Sequence, residues 1–402
     1  PGKTAERLSA NQKFSQAMWT TRLESIFPYG DYAIPSWRYN SLLDRVVFLE
    51  PKDEIPVRVV SVPKTLKTPR IIAIEPTCMQ YMQQGILTCL MRNFHQDYLL
   101  RDLIGFRDQE PNKAMAREGS LHGNLATLDL SEASDRVSNQ LVRAMLHNFP
   151  SLGEAVDATR SRKADVPGHG VQRLAKFASM GSALCFPFEA FVFMTIILDA
   201  IALELKQPVS RRLVKSLRGR VRVYGDDIIV PVEFATCVRQ RLENFGFRVN
   251  VHKSFAEGNF RESCGGDYFL GEDVTPIRLR RMVPVNTRQA SEMVSFVAFR
   301  NLLYKRGLWQ TAAFLDLKIR GMLQHYPVVD ETSPVLGRES YLSWQAEAAD
   351  PETHAPLVRG WIVRSESPSD PLDGEPALLK FFVGRGSVDP LHDGHLEFAG
   401  RP

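Results

Sequence analysis

Three aspartates are set apart by what flanks them. Tyr224-Gly225-Asp226-Asp227 joins two alternating apolar runs, Arg220–Tyr224 and Asp227–Val232. A Gly-Asp pair between such runs predicts a two-residue hairpin, with glycine supplying the positive φ. The tip then carries adjacent carboxylates that point to different faces of the ribbon. Like charges this close repel, and a hard divalent cation relieves them. Asp129 ends a third apolar run, Ala126-Thr127-Leu128-Asp129-Leu130. Alone, such an Asp reads as a helix cap, and such a Gly-Asp pair as a solvated turn. Together, a strand-end Asp beside an Asp-Asp tip gives a site for two ions about 3.5–4 Å apart, with Asp129, Asp226 and Asp227 as ligands and Cα atoms within about 10 Å. Such a pair of ions serves phosphoryl transfer: one activates an attacking hydroxyl, and the other holds a triphosphate and neutralises the leaving pyrophosphate.

That chemistry also needs cations and a way to read the substrate. The segment Ser61–Arg70 supplies Lys64, Lys67 and Arg70 without an acid. It reads equally well as a triphosphate channel or as a solvated basic loop. The run Arg211–Arg222, six cations and no acid, leads directly into the hairpin. It fits a phosphate-backbone track, or solvated helix charge. Ser179-Met180-Gly181-Ser182 offers small residues that let backbone approach a nucleotide, or that merely cap the next helix. Asp135 lies past the strand that carries Asp129, at the entry to a helix. With Ser182 it is a candidate reader of a ribose 2′-hydroxyl.

The elements that must position these groups alternate in period. Ile55–Val62 and Arg70–Ile74 read as strands around a Pro- and Lys-bearing loop, and Cys78–Phe94 as a helix. Leu125–Leu130 reads as a strand, Gln140–His147 as a helix, and Pro167–Gly170 as a turn between basic segments. Phe186–Leu205 reads as a long buried helix and Phe234–Phe245 as another. Asp267–Leu270 and Val274–Ile277 predict a second hairpin around Gly271, and helix is expected to dominate from Arg288 to a Pro/Gly-rich tail beyond Pro351. The fold class is therefore α+β. Five cysteines without a CxxC pair argue against a disulfide framework or structural zinc and fit a reducing cytosol. The longest apolar run, Ala190–Leu198, is well short of the roughly 20 residues of a membrane span, so no membrane association is expected. A net charge of +4 says little about nucleic acid. The chain opens on Pro1, and a preceding segment is expected to be missing.

Taken in order, SVPKTLKTPRIIAIEP (61–76), REGSLHGNLATLDLSEASDRVS (117–138), SMGSALCFPFEA (179–190), VYGDDIIVP (223–231) and HKSFAEGNFRESCGGDYFLGEDVTPIRLR (252–280) resemble the core of viral RNA-dependent RNA polymerases. Most closely, the set is similar to the replicase catalytic (beta) subunit of the leviviruses, the single-stranded RNA bacteriophages. The resemblance implies a right-hand architecture with an antiparallel palm sheet. It implies fingers and N-terminal sequence over 1–124 with the basic loop 61–70, a palm over 125–275 with a fingers insertion at about 150–178, and a thumb and C-terminal region over 276–402. It implies two Mg²⁺ ions, or Mn²⁺, on Asp129, Asp226 and Asp227, and a nucleotide channel lined by Lys64, Lys67 and Arg70. Asp135 would face the ribose, and Lys253 would protonate pyrophosphate. Cys264–Thr275 would form a hairpin supporting the nascent 3′ end. The implied partners are an RNA template and nascent RNA, NTPs and host translation proteins, in the cytoplasm of an infected bacterium. Ser182 stands where the family more often has Asn, and His252 where a second basic residue is common, so either His252 or Lys253 is the donor. A reverse transcriptase shares the strand Asp and an xDD hairpin but would lack the basic loop combined with Asp135. Another two-metal transferase fits the carboxylates but not the ordered set. A relic RNA-binding polymerase fold would not be expected to keep all three.

Overall fold

The structure, a computed structural model, describes residues 3–15, 17–63, 69–343, 345–366 and 369–385. It has mixed helices and sheets, and the chain forms two compact units. Thr275–Ser369 makes one, and the residues before and after it make the other.

In the first unit the strand Leu125–Ser131 lies between Arg248–Val249 and Asp227–Pro231, with Arg222–Tyr224 on the far side of the latter. All three pairings are antiparallel. Strand periodicity sorts the side chains of this sheet into two cores. Ala126, Leu128, Leu130, Ile228 and Val230 join a large cluster with Phe188, Phe193, Ile197 and Ile201 of the helix Cys185–Glu204. Leu125 and Ile229 turn the other way and meet Ala116 and Tyr268. The helix Cys185–Glu204 is apolar around its whole circumference. It is long and apolar enough to cross a membrane by length and composition, but most of it is buried in this core, as expected for a helix hydrophobic on every side. On the opposite face, Glu110–His122 comes close to the sheet at Gly119, where a Cβ would stand 2.9 Å from the Leu125 carbonyl oxygen.

A second, mixed sheet has the order Pro69–Ile74, Val57–Pro63, Lys163–Val166, Gly170–Arg173. Its first two strands form the hairpin whose connecting residues, Lys64 and Lys67 among them, lie outside the described residues. Pro167–Gly170 is the turn of the other hairpin, and its basic flanks are strands.

The hairpin around Gly271 exists, with positive φ at Leu270 and Gly271, but its second strand is Glu272–Asp273 rather than Val274–Ile277. Pro276 cannot donate to a ladder, so pairing stops short of it. A third strand, Phe260–Ser263, completes this small sheet. Arg261, fully buried, ties it to the central sheet. Its guanidinium donates to the carbonyls of Leu125, Ala256, Gly258 and Phe260.

In the second unit Ala290–Lys305 and Trp309–Met322 enclose Met293, Phe296, Leu315 and Ile319. Arg300 forms a bidentate pair with Asp316 at 2.8 and 2.9 Å. Helix does not continue to Pro351 as expected. Beyond Leu323 the backbone is largely irregular, with one short ladder, Ala348–Ala349 with Pro356–Leu357. Pro327 and Pro334 interrupt any helical register. Helical side chains hold the segment instead, Asn301 through the Gly337 carbonyl and Arg300 through that of Glu339. The region expected as 276–402 is also divided. The segment from Asp370, with the helix Gly374–Arg385, belongs to the first unit. There Asp370 accepts from the Ser9 hydroxyl and the Asn11 N–H, both at 2.7 Å.

The Arg261 clamp is testable. Arg261→Met keeps the apolar stem but strands the buried Leu125 carbonyl and removes the donor of the part-buried carbonyls of Ala256, Gly258 and Phe260, and should lower stability by about 2–4 kcal/mol in denaturant titration. A stability within error of wild type would mean those carbonyls have another partner.

Candidate active site

Register places the acids. In the ladder between Leu125–Ser131 and Asp227–Pro231, Asp129 is directly opposite Asp227. Opposed residues in an antiparallel pair share a face, with Cα atoms about 4.5–5.5 Å apart. Asp226 is one peptide further on, about 3.8 Å from its neighbour, so the three Cα atoms lie within about 10 Å. The turn at Gly225-Asp226 has positive φ at its first position, Gly225, as in a type II′ hairpin. Only glycine fits there, because a Cβ would fall 2.4 Å from Phe186 Cε2 and 3.3 Å from Glu189 Oε1.

Each carboxylate has its own setting. Asp227 Oδ1 accepts from the Cys264 N–H at 3.0 Å and the Ser263 hydroxyl at 3.4 Å. Burial raises its pKa, the Cys264 hydrogen bond opposes this, and the charges of Asp226 and Asp129 raise it further. Asp129 Oδ2 accepts from Asn250 Nδ2 at 3.0 Å, and its N–H donates to the Ser254 hydroxyl. Among the described residues no group of three or more His, Cys, Asp or Glu side chains is arranged to hold a metal ion as it stands. An open face with two opposed carboxylates and a third beside them fits a hard cation such as Mg²⁺, which takes one or two protein carboxylates and completes its shell with water and phosphate.

The remaining predicted residues fall into three groups. Lys253 stands next to the acids. Its Nζ is 3.8 Å from Glu262, whose raised pKa reflects burial first, then the pull of Lys253 against the charges of Asp267, Asp129 and Asp227. The exposed His252 follows the same turn, its N–H donating to the Asn250 side chain. Asp135 forms an ion pair with Lys176 at 2.6 Å. In the loop Ser179–Ser182, the Ser182 hydroxyl is directed inward to Gln83 Oε1 at 3.0 Å. Ser179 Oγ is buried with no partner among the described residues. Gly181 has φ +140°, and its Cβ would stand 2.0 Å from the Ala73 carbonyl oxygen, so this loop lies directly on the strand Pro69–Ile74. Arg70 is exposed near the start of that strand. Lys64 and Lys67 lie outside the described residues.

The run Arg211–Arg222 is divided: Arg211, Arg212 and Lys215, on the helix Arg211–Ser216, are exposed, and the later three cations are engaged. Arg218 pairs with Asp102 and Arg220 with Glu233. Arg222 is buried, donating to the Asn112 side chain and the Asp102 carbonyl. The run itself holds no acid, and the fold brings acids to Arg218 and Arg220 from other segments.

Sequence reasoning missed Asn250, Lys176 and Glu189. Glu189, on the helix Cys185–Glu204, is 7% exposed, and its Oε2 has no partner among the described residues. Burial pushes its pKa up to about 8, with the charges of Asp226 and Asp135 adding to the shift. An acid in a wholly apolar helix stretch was the available signal.

Residues 53–298 match the sequence model of a family described as "RNA replicase, beta-chain". The RNA-directed RNA polymerase subunit beta of Qbeta virus (strain MX1) is 36% identical over 226 residues, 56% of this chain and 36% of that protein. The corresponding subunit of Escherichia virus Qbeta is 33% identical over 293 residues, 70% of this chain and 46% of that protein. The RNA-directed RNA polymerase beta chain of Escherichia phage MS2 is 35% identical over 226 residues, 56% of this chain and 38% of that protein. The chain thus spans less than half the length of these relatives. Among solved structures, the RNA-dependent RNA polymerase of a human picorbirnavirus has a TM-score of 0.44 at 13% identity, covering 61% of this chain and 52% of that one.

Glu189 gives a pH signature. A carboxyl that titrates near 4.3 in the unfolded chain and about 8 when folded holds an extra proton in the native state between those values. Its stabilisation is therefore complete below about pH 4 and lost as pH rises to about 8. In metal-free melts from pH 5 to 8.5, Glu189→Gln should lose less Tm than wild type. Equal slopes would mean that Glu189 is solvated.

Proposed function

The chain belongs to the RNA replicase beta-chain family, and from this we propose that it is an RNA-dependent RNA polymerase copying single-stranded RNA from NTPs with release of pyrophosphate. The observation that carries the reading is the opposition of Asp129 and Asp227 in register, beside a turn that adds Asp226. These three residues would hold two Mg²⁺ ions, for which Mn²⁺ would substitute. When bound, the ions would supply Lewis acidity at the attacking 3′-hydroxyl and at the triphosphate oxygens.

The chain's own side chains do the rest. Arg70, with Lys64 and Lys67, would bind the triphosphate, whose charge grows on the leaving group. Lys253, whose Nζ lies 3.8 Å from Glu262, would pass its proton to the departing pyrophosphate; His252, on the same turn, is the other candidate. Asp135 would accept a hydrogen bond from the ribose 2′-hydroxyl, helped by the loop of Ser179, Gly181 and Ser182. The segment Cys264–Thr275 would support the nascent 3′ end. It follows from the N–H of Cys264, which is fixed to Asp227.

In this reading the antiparallel sheet Leu125–Val249 is the palm of a right-hand polymerase, within a palm of 125–275. The mixed sheet belongs to fingers over 1–124 with an insertion at about 150–178, and 276–402 comprises the thumb and C-terminal region. The relatives' printed names call them beta subunits or beta chains, which supports a complex with further subunits. Host translation proteins in the bacterial cytoplasm are the proposed ones.

Asp226→Asn tests the site and the activity together. Asn tolerates the turn as well as Asp does, and one of three crowded charges is gone. The melting temperature should be unchanged or raised, while RNA-templated incorporation with Mg²⁺ should fall more than tenfold. Activity within tenfold of wild type would reduce Asp226 to a turn residue, and a wild-type chain that incorporates no ribonucleotide would remove the polymerase reading.

A further inference from the structure

Gln83 belongs to none of the groups considered so far. It sits in the helix Thr77–Gln96 and is 1% exposed. Its Oε1 accepts from the Ser182 hydroxyl at 3.0 Å and from the Ala183 N–H at 3.1 Å. Its Nε2 donates to the Thr159 carbonyl at 2.9 Å. The two backbone partners fix which way the amide points. The Ala183 N–H can only donate and the Thr159 carbonyl can only accept, so a flipped amide would lose both. Glu75, a buried carboxyl just beyond the strand Pro69–Ile74 that accepts from the Ser161 hydroxyl, lines the same small cavity as Gln83.

One side chain therefore joins three segments: its own helix Thr77–Gln96, the end of the helix Pro150–Thr159, and the small-residue loop. Within that loop the Ser182 N–H donates to the Ser179 carbonyl at 3.0 Å and the Ser182 hydroxyl accepts from the Leu184 N–H at 3.3 Å, and the loop's remaining ties run to its neighbours. It reaches Gln83 directly through Ser182 and Ala183, and its Met180 carbonyl accepts from the Ala73 N–H at 3.0 Å.

We propose that Gln83 is the positioning residue for the nucleotide-binding loop Ser179–Ala183, and that Ser182 acts as its latch rather than as a reader of the sugar. The inference rests on the polymerase reading for what the loop binds, but not for how the loop is held. A glutamine is suited to this because it accepts on one side and donates on the other within one rigid plane. An apolar residue of the same length would leave the Ala183 N–H and the Thr159 carbonyl buried without partners, and each such loss is expensive.

The two roles for Ser182 predict opposite orders. If Gln83 positions the loop, Gln83→Met should raise the KM for ribonucleotides about tenfold, the effect of one buried hydrogen bond, with kcat changed about twofold or less. Ser182→Ala, which leaves the Ala183 bond to Gln83 in place, should raise KM less than Gln83→Met does and keep discrimination against deoxyribonucleotides. If Ser182 reads the sugar, Ser182→Ala loses discrimination, Gln83→Met keeps it, and the inference is overturned. Hydrogen exchange of the full chain supplies a readout without catalysis. The Ala183 amide should be protected in the wild type, and exchange across 179–184 should speed up at least about tenfold in Gln83→Met. Rapid exchange of Ala183 in the wild type overturns the inference even if the variant does not fold. A wild-type chain without activity would count against the polymerase reading, and the exchange data would still decide the role of Gln83.

Discussion

Two like charges held opposite one another across a β-ladder are unfavourable, and the ladder between Leu125–Ser131 and Asp227–Pro231 is built to hold them there. The holding force is apolar. Ala126, Leu128, Ile228 and Val230 are locked on one face by the helix Cys185–Glu204, and Ile229 on the other by Ala116 and Tyr268. A slip of one residue would exchange the two faces of either strand, so the same burial that stabilises the sheet fixes Asp129 against Asp227. Neutral donors then moderate the repulsion without cancelling it. The Cys264 N–H serves Asp227 and the Asn250 amide serves Asp129. Hydrogen-bond donors without full positive charge leave the pair receptive to a cation.

The same logic extends outward. Around the acids the polar contacts run between segments distant in sequence. Asn250 reaches Asp129, Lys176 reaches Asp135, and Glu262 reaches Lys253. Gly225 and Gly181 sit where a side chain would collide, with Phe186 and with the Ala73 carbonyl respectively.

Local pattern was enough for some of this. The hairpin at Gly225, the Asp129 strand and the long buried helix follow from period and turn chemistry, which act between near neighbours. Other features were not legible, each for a physical reason. The partners of Arg218 and Arg220 come from Asp102 and Glu233, so an acid-free run was no guide to free charge. Gln83 and Glu189 look like ordinary helix residues until tertiary packing buries them. Beyond Leu323 the helical period fails at prolines, and the irregular chain is held by side chains of the preceding helix. Val274–Ile277 has strand-like composition, but a ladder cannot pass Pro276.

The bonds between Asp370 and the segment of Ser9 and Asn11, reinforced by Lys380 on Asn11, join two ends of the first unit across the whole intervening chain. On a ribosome adding about 5–20 residues per second, Ser9 emerges roughly tens of seconds before its partner has been synthesised. During that interval the neighbouring apolar residues Trp19, Leu23 and Tyr29 have only earlier-made sequence, such as Cys78 and Met82, to cover them. Docking of the segment from Asp370 onto Ser9 and Asn11 is therefore a late event in the birth of the molecule, added to a cluster that Cys78, Met79 and Met82 already complete.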